Sequence, residues 1–89
     1  MKIVFDPVKD ARNIAKHGVS LALAEQLEWE WMVCREDDRI AYGEIRMACY
    51  APIGSKVYAV VFCEEHGVYR IVSLRPADPK EVRYYANQS

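Results

Sequence analysis

The chain has 89 residues, of which 52% are hydrophobic and 28% charged, and 12 Lys and Arg residues balance 13 Asp and Glu residues to a net charge of −1 at pH 7. This composition excludes a disordered chain, and the length limits the protein to one small domain, expected to span residues 1–89. The balanced charge excludes a surface that is basic overall, so any contact with RNA has to use a local basic patch.

Cys34, Cys49 and Cys63 lie far apart in apolar stretches. We predict that all three are free, small core residues of a protein in the reducing cytoplasm. The longest apolar run, residues 57–63, is too short for a membrane span, and Asp6-Pro7 interrupts the N-terminal apolar stretch too early for a signal peptide. A cytoplasmic protein without membrane contact is therefore expected.

The first third of the chain predicts a short edge strand and two helices. Lys2 to Phe5 is the strand, Asp6-Pro7 is a capped helix start, and Gly18 ends that helix. Apolar residues repeat at helical spacing along it, namely Val8, Ala11, Ile14 and Ala15. Ser20 caps the second predicted helix, which has Leu23, Leu27 and Trp31 on one face.

The rest of the chain predicts antiparallel strands joined by hairpins. We expect strands at 31–35, 44–51, 57–63 and 68–75, with a polar turn at 36–39, a hairpin loop at 52–55, a turn at 64–67 and a final helix after Pro76 and Pro79. The 57–63 strand should be central because it is almost wholly apolar. The fold class is α+β in the order β-α-α-β-β-β-β-α, with the helix pair on one side of the sheet.

Function is expected where the last strand ends, because Arg75 is followed by a basic and aromatic helix. In that strand Tyr69, Ile71, Ser73 and Arg75 should share one face. Arg46 on a neighbouring strand meets Arg75 there if the register allows, and two such arginines suit a phosphate that gains charge in a transition state. The alternative is that both are ordinary solvated surface residues.

Lys16 and His17 end the first helix, where positive charge suits the helix dipole. The functional alternative makes His17 a proton-transfer group and Lys16 a phosphate contact. Tyr84 and Tyr85 offer a similar choice, since one should pack the final helix on the sheet while the other is available to stack a nucleotide base. The Cys63-x-x-His66 spacing lacks a second ligand pair, so we predict no metal and no cofactor.

Several motifs, in this order and spacing, resemble the BrnT family of toxins. They are Asp6-Pro7-x-Lys9, Asn13-x-x-Lys16-His17-Gly18-Val19-Ser20, Tyr42-Gly43-Glu44-x-Arg46, Arg70-Ile71-Val72-Ser73-x-Arg75 and Glu81-x-Arg83-x-Tyr85. The resemblance covers Phe5 to Tyr85. The Lys-His-Gly-Val-Ser and Arg-Ile-Val-Ser-x-Arg stretches are its most specific parts.

The resemblance implies a RelE-like fold and a bacterial type II toxin that cleaves RNA without a metal and inhibits translation. It also implies a BrnA-like antitoxin of the ribbon-helix-helix type, through which the complex binds operator DNA and represses its own operon. The expected catalytic residues are Arg46, Arg75, His17, Lys16 and Tyr84, and the expected RNA-binding residues are Arg70, Arg83, Tyr85 and Lys80.

Two features favour an alternative, a catalytically weak or inactive relative that only binds an antitoxin-like partner and acts in autoregulation. The chain is not basic, as the family tends to be, and Pro76 stands where the family usually has another basic residue. A partner surface is predicted in either case, because Trp29, Trp31, Met32 and Tyr50 are more large apolar residues than so small a core needs. The alternative, favoured for Trp31, is that these residues fill the core.

Overall fold

The computed structural model describes residues 1–41 and 44–88. Its elements are β1 (Lys2–Val4), α1 (Pro7–His17), two 3₁₀ helices (Leu21–Gln26 and Trp29–Trp31), β2 (Val33–Ala41), β3 (Glu44–Ile53), β4 (Lys56–Glu65), β5 (Val68–Pro76) and α2 (Pro79–Gln88). The predicted α+β class is confirmed. Within the described ranges, neither α-helix has the length and apolar character needed to cross a membrane.

The sheet has the strand order β1-β5-β4-β3-β2, so the apolar β4 is central, as predicted. Strands β2 to β5 pair antiparallel through successive hairpins. The expectation of a wholly antiparallel sheet is wrong at one edge, because β1 pairs parallel with residues 68–70 of β5. The chain enters the sheet at β1 and returns beside it in the same direction.

Helix α1 begins and ends as predicted. The Asp6 side chain accepts a hydrogen bond from the backbone N–H of Val8 at 3.2 Å, and Gly18, at a φ of 76°, donates its N–H to the Ile14 carbonyl at 2.8 Å. The left-handed backbone at Gly18 is the conformation that glycine adopts without steric cost.

A buried asparagine attaches α1 to the edge of β5. The Asn13 side chain donates to the Leu74 carbonyl at 2.7 Å and accepts from the Leu74 N–H at 3.2 Å. It also donates to the Val19 carbonyl at 2.9 Å. Pairing of β5 with β1 stops at Arg70. The Asn13 amide therefore makes the hydrogen bonds to the Leu74 backbone that a neighbouring strand would otherwise make.

The second predicted helix is wrong in its geometry. Ser20 does cap it, but the segment is 3₁₀, and Leu21, Ala24 and Leu27 are the buried residues. A spacing of three matches the three residues per turn of a 3₁₀ helix, so these residues share the inward face. Trp31, expected on that face, is 62% exposed.

The predicted polar turn at 36–39 is also wrong, because these residues lie within β2. The strand pairing shifts register between Arg35 and Arg39, so an irregular strand passes through the polar sequence. Tyr42 and Gly43, the first two residues of the third family motif, lie outside the described residues.

Two of the three cysteines are not free, which contradicts the prediction. Cys34 and Cys49 are direct partners on β2 and β3 and form a disulfide. Cross-strand partners project their side chains to the same face of a sheet, which brings two thiols within bonding distance. Cys63 is the remaining free thiol and is half-buried.

A β-bulge at Val72 changes the face that each half of β5 presents. Val61 lies opposite Ser73 while the next residue, Phe62, lies opposite Ile71, so β5 has one extra residue there. Ile71 and Leu74 are consequently both buried in the core. Ser73 and Arg75, which flank Leu74, lie on the other face, so the prediction that they share a face with Ile71 is wrong.

The core lies between one face of the sheet and the 3₁₀ segment. Most residues of the predicted partner surface belong to this core or lie under α2. The Trp29 ring packs edge-on against Phe62 and Tyr69, with centroids 5.3 Å apart in both pairs. Met32 packs against the core and Tyr50 is 3% exposed. The predicted patch is therefore wrong except for the exposed Trp31.

Candidate functional site

An open pocket of about 380 Å³ lies between α1 and the neighbouring strands. We call it the basic pocket. It is lined by Lys9, Arg12, Asn13, Lys16 and His17 of α1, by Arg46 of β3, and by Val72 and Ser73 of β5. Lys9, Arg12 and Lys16 face it together because spacings of three and four residues place side chains on one side of a helix.

His17, the last residue of α1, is half-buried in this wall. Burial lowers the pKa of its imidazole below the ordinary value of 6.5, and the charges of Lys16 and Arg75 lower it further. The imidazole is therefore neutral at pH 7 and able to accept a proton, beside cations that attract an anionic substrate.

A second pocket, of about 130 Å³, adjoins the first and shares Ser73 with it. We call it the arginine–tyrosine pocket, after Arg35, Tyr50 and Arg75, which line it together with Glu81. The bulge at Val72 is what turns Ser73 and Arg75 towards this face. Arg46 and Arg75 thus border adjoining pockets on one side of the sheet.

Glu81 holds Arg75 in a bidentate ion pair. The two guanidinium nitrogens donate to the two carboxylate oxygens at 2.6 and 2.9 Å. This pairing lowers the pKa of Glu81 to about 2. Glu81 also forms a capping box with Asp78, because each accepts the other's backbone N–H, at 3.0 and 2.8 Å, and the start of α2 is fixed to Arg75 in this way.

Tyr50 connects this ion pair to Arg35. Its hydroxyl donates to Glu81 at 3.0 Å and accepts from Arg35 at 3.2 Å. Burial is the main reason why the pKa of Tyr50 is raised above 10, and the hydrogen bond to Glu81 adds to it. Tyr50 therefore keeps its proton and serves as a neutral donor under α2.

Both tyrosines of α2 pack against the scaffold. The Tyr84 ring lies 5.8 Å from the Tyr50 ring, with the Arg35 guanidinium 5.4 Å from its centroid. The Tyr85 hydroxyl donates to the Trp31 carbonyl at 2.7 Å. The expectation that one of them packs α2 on the sheet is confirmed for Tyr84, while Tyr85 connects α2 to the second 3₁₀ helix.

The structure brings together Lys16, His17 and Arg46, with Arg75 in the adjoining pocket. The other cations expected to bind RNA lie elsewhere. Arg70, opposite Cys63, lines a different pocket near the β4–β5 turn, while Lys80 and Arg83 are exposed on α2.

Sequence reasoning missed several members of this arrangement. Lys9 and Arg12 belong to the basic pocket, and their helical spacing from Lys16 was a usable signal. Tyr50 and Arg35 belong to the network around Glu81, and no pattern in the sequence indicated that α2 would cover this end of the sheet.

Across residues 1–41 and 44–88, no group of three or more His, Cys, Asp or Glu side chains is arranged to hold a metal ion. Comparison with known families identifies a relationship to a toxin family. A family model described as "Ribonuclease toxin, BrnT, of type II toxin-antitoxin system" matches residues 5–81, a range that contains the lining of both pockets. No curated protein matches the chain.

Proposed function

The chain belongs to the BrnT family of type II ribonuclease toxins, as its motifs predicted, and on this premise we propose that it is a metal-independent endoribonuclease whose reaction takes place in the basic pocket. The observation that carries the proposal is that His17, Lys16 and Arg46 line one open pocket, in which burial and neighbouring cations lower the pKa of His17. A proton acceptor and cations are what cleavage by the substrate's own 2′-hydroxyl requires.

In the proposed reaction His17 removes the proton from a ribose 2′-hydroxyl. The 2′-oxygen attacks the adjacent phosphorus, the bond to the 5′-oxygen breaks, and Lys16 donates a proton to that leaving oxygen. Arg46 stabilises the negative charge that grows on the phosphorane oxygens. The products are a 2′,3′-cyclic phosphate and a free 5′-hydroxyl.

Arg75 acts in this proposal from the adjoining pocket. Its charge helps to keep His17 neutral, and it adds positive potential next to Ser73. Glu81 fixes the guanidinium orientation from the side of α2. Tyr84 supports the same network from behind Tyr50, and Tyr85, Arg70, Lys80 and Arg83 are proposed to contact RNA outside the reacting phosphate.

A type II toxin has an antitoxin partner. We propose that this antitoxin is BrnA-like with a ribbon-helix-helix part, that the complex reaches operator DNA only through it, and that the toxin acts on RNA in the cytoplasm to inhibit translation. We further propose that the sheet and helices correspond to a RelE-like fold.

The direct test is cleavage of end-labelled free RNA by the purified protein in EDTA, with a separate assay on translating ribosomes in the Mg²⁺ buffer that they require. We expect cleavage to survive EDTA and to leave 2′,3′-cyclic phosphate ends. His17→Ala and Arg46→Ala should slow it by about 100-fold or more. Lys56→Ala, an exposed residue at the β3–β4 turn, is the matched control and should cleave like the wild type. Loss of cleavage in EDTA that Mg²⁺ restores would contradict the proposal.

Two observations favour the second candidate, a binding module without catalysis. Both guanidinium nitrogens of Arg75 that donate to Glu81 are already engaged in that ion pair, and the chain as a whole is not basic. Induction in cells separates the two functions. If the wild type stops growth while folded His17→Ala does not, catalysis is required and the binding module is excluded; if both arrest growth equally, the enzyme is excluded.

A further inference from the structure

Helix α1 presents its apolar side to solvent. At 100° per residue, five residues fall within one third of its circumference: Pro7, Val8, Ala11, Ile14 and Ala15. All of them are exposed, with Val8 at 59% and Ile14 at 46%. We call this surface the α1 apolar face.

The opposite side of α1, which is polar, is the side attached to the protein. Asn13 is buried against β5, and Asp10 accepts hydrogen bonds from the Ser20 hydroxyl at 2.9 Å and the Leu21 N–H at 2.7 Å. A surface helix ordinarily buries its apolar stripe and exposes its polar one. The reversed arrangement indicates that the α1 apolar face is covered by something other than this chain.

Charge around the face indicates what covers it. Arg12 lies on its border, and Lys16 and Lys9 follow on the same side as the helix turns towards the basic pocket. On the other border, Asp10 is engaged with the start of the 3₁₀ segment. The border of the α1 apolar face that is not engaged with the 3₁₀ segment is therefore cationic. This border continues into the basic pocket.

We infer that the α1 apolar face docks an amphipathic helix of the antitoxin, with Asp and Glu residues along the edge that meets Arg12 and Lys16. A helix seated there pairs apolar surface with apolar surface and acidic groups with the cations of the pocket wall. It inhibits the toxin by taking those cations away from RNA. The inference rests on the proposed function, because the inhibition acts on the basic pocket.

A second copy of this chain fits the face less well. When two identical helices pack antiparallel about a two-fold axis, the cationic edge of one apolar face lies against the cationic edge of the other. Arg12 and Lys16 would therefore face Arg12 and Lys16 of the other copy. Like charges in contact oppose association. The acidic partner removes this repulsion.

The test measures binding of the operon's antitoxin chain to full-length toxin variants by calorimetry, together with RNA cleavage in the presence and absence of that chain. Val8→Glu and Ile14→Glu should lower the affinity at least about tenfold, because each places a charge in an apolar contact. Both residues are exposed, so the variants should fold. Val82→Glu, 39% exposed on α2, is the matched control and should bind like the wild type. Added salt should weaken wild-type binding, as acidic groups on the partner require.

The outcomes are distinct for the two proposals. Val8→Glu and Ile14→Glu that cleave RNA normally but resist inhibition support the docking site. Unchanged affinity in both variants overturns it, as does an affinity that salt leaves unchanged. If light scattering shows a toxin dimer that Ile14→Glu dissociates, the occupant is a second copy and the inference is wrong. Absence of cleavage by the free wild type would instead contradict the proposed function while the binding result stands.

Discussion

His17 shows how three neighbours set the chemistry of one side chain. Burial, Lys16 and Arg75 all act in the same direction on its pKa. A histidine at the C-terminal end of a helix would otherwise be favoured in its charged form by the helix dipole. The cations that attract phosphate therefore also keep the proton acceptor ready at neutral pH.

This arrangement predicts a specific effect of Lys16→Met. Removing the ammonium removes one of the causes that depress the His17 pKa, so the pKa should rise towards 6.5. NMR titration of the His17 imidazole Cε1–H signal measures this, with Lys56→Met, at the exposed β3–β4 turn, as the control variant. An unchanged His17 titration would show that Lys16 does not act on it. Because Lys16 is also the proposed proton donor, the variant should cleave RNA slowly, and the acidic limb of its residual activity should move to higher pH.

The Arg75–Glu81 pair predicts a pH-dependent stability difference. Glu81→Gln should lower the free energy of unfolding by about 1–3 kcal/mol at neutral pH, because a charge-assisted bidentate contact is lost. The folded pKa of Glu81, about 2, lies below its ordinary value of 4.5, so the stabilisation is complete above 4.5 and disappears as the pH falls through 2. Urea denaturation across this range should show the two proteins converging at low pH.

The exposed Glu65, on the β4–β5 hairpin, provides the control for that series, since its side chain is 85% exposed. Glu65→Gln should change stability by less than about 0.5 kcal/mol at every pH. A Glu81→Gln difference that stays constant down to pH 2 would mean that packing, and not the ion pair, is what the substitution removes.

At the scale of elements, the contact between α1 and β5 depends on one amide. Asn13→Ala should lower the free energy of unfolding by about 2–4 kcal/mol, because the buried N–H and C=O of Leu74 both lose their partner. Urea denaturation measures the loss. Asn87→Ala, on the exposed end of α2, should cost less than about 0.5 kcal/mol. A loss for Asn13→Ala no larger than for this control would contradict the strand-replacing role.

The element boundaries that local chemistry determines were predictable from the sequence. Asp6, Gly18 and Ser20 act through their nearest neighbours along the chain, so the start and end of α1 and the start of the 3₁₀ segment follow from them directly. The central position of β4 follows from its apolar composition. Motifs likewise sufficed to predict the family, which the family match confirms.

Features that depend on register or on distant partners were not predictable. The bulge at Val72 is invisible in an alternating pattern, yet it decides the face on which Arg75 lies. The Cys34–Cys49 disulfide depends on the β2–β3 register, and the reversed orientation of α1 depends on how Asn13 meets β5. Each of these is a contact between residues far apart in sequence, for which composition and periodicity contain no signal.

For the whole molecule, the number of cations that contact phosphates predicts the salt dependence of RNA binding. If Arg12, Lys16 and Arg46 of the basic pocket and the proposed outer contacts Arg70, Lys80 and Arg83 all meet phosphates, the plot of log affinity against log salt should have a slope of about −4 for single-stranded RNA. Fluorescence anisotropy with a 2′-O-methylated oligonucleotide, which the protein cannot cleave, measures it.

Arg46→Ala should reduce that slope by about 0.7, and Lys56→Ala should leave it unchanged. A wild-type slope of about −2 would mean that only the cations of the basic pocket meet phosphates and that Arg70, Lys80 and Arg83 do not contribute.

Helix α1 also has a consequence for solubility. Among the residues that the structure describes, none forms a strand beside the edge of β5 beyond Arg70, and α1 with Asn13 covers the backbone of Leu74. An uncovered strand edge is a template on which other molecules add strands and aggregate. Any truncation or partial unfolding that releases α1 therefore exposes an aggregation-prone edge, and the helix that borders the basic pocket is also the one that keeps the sheet from growing.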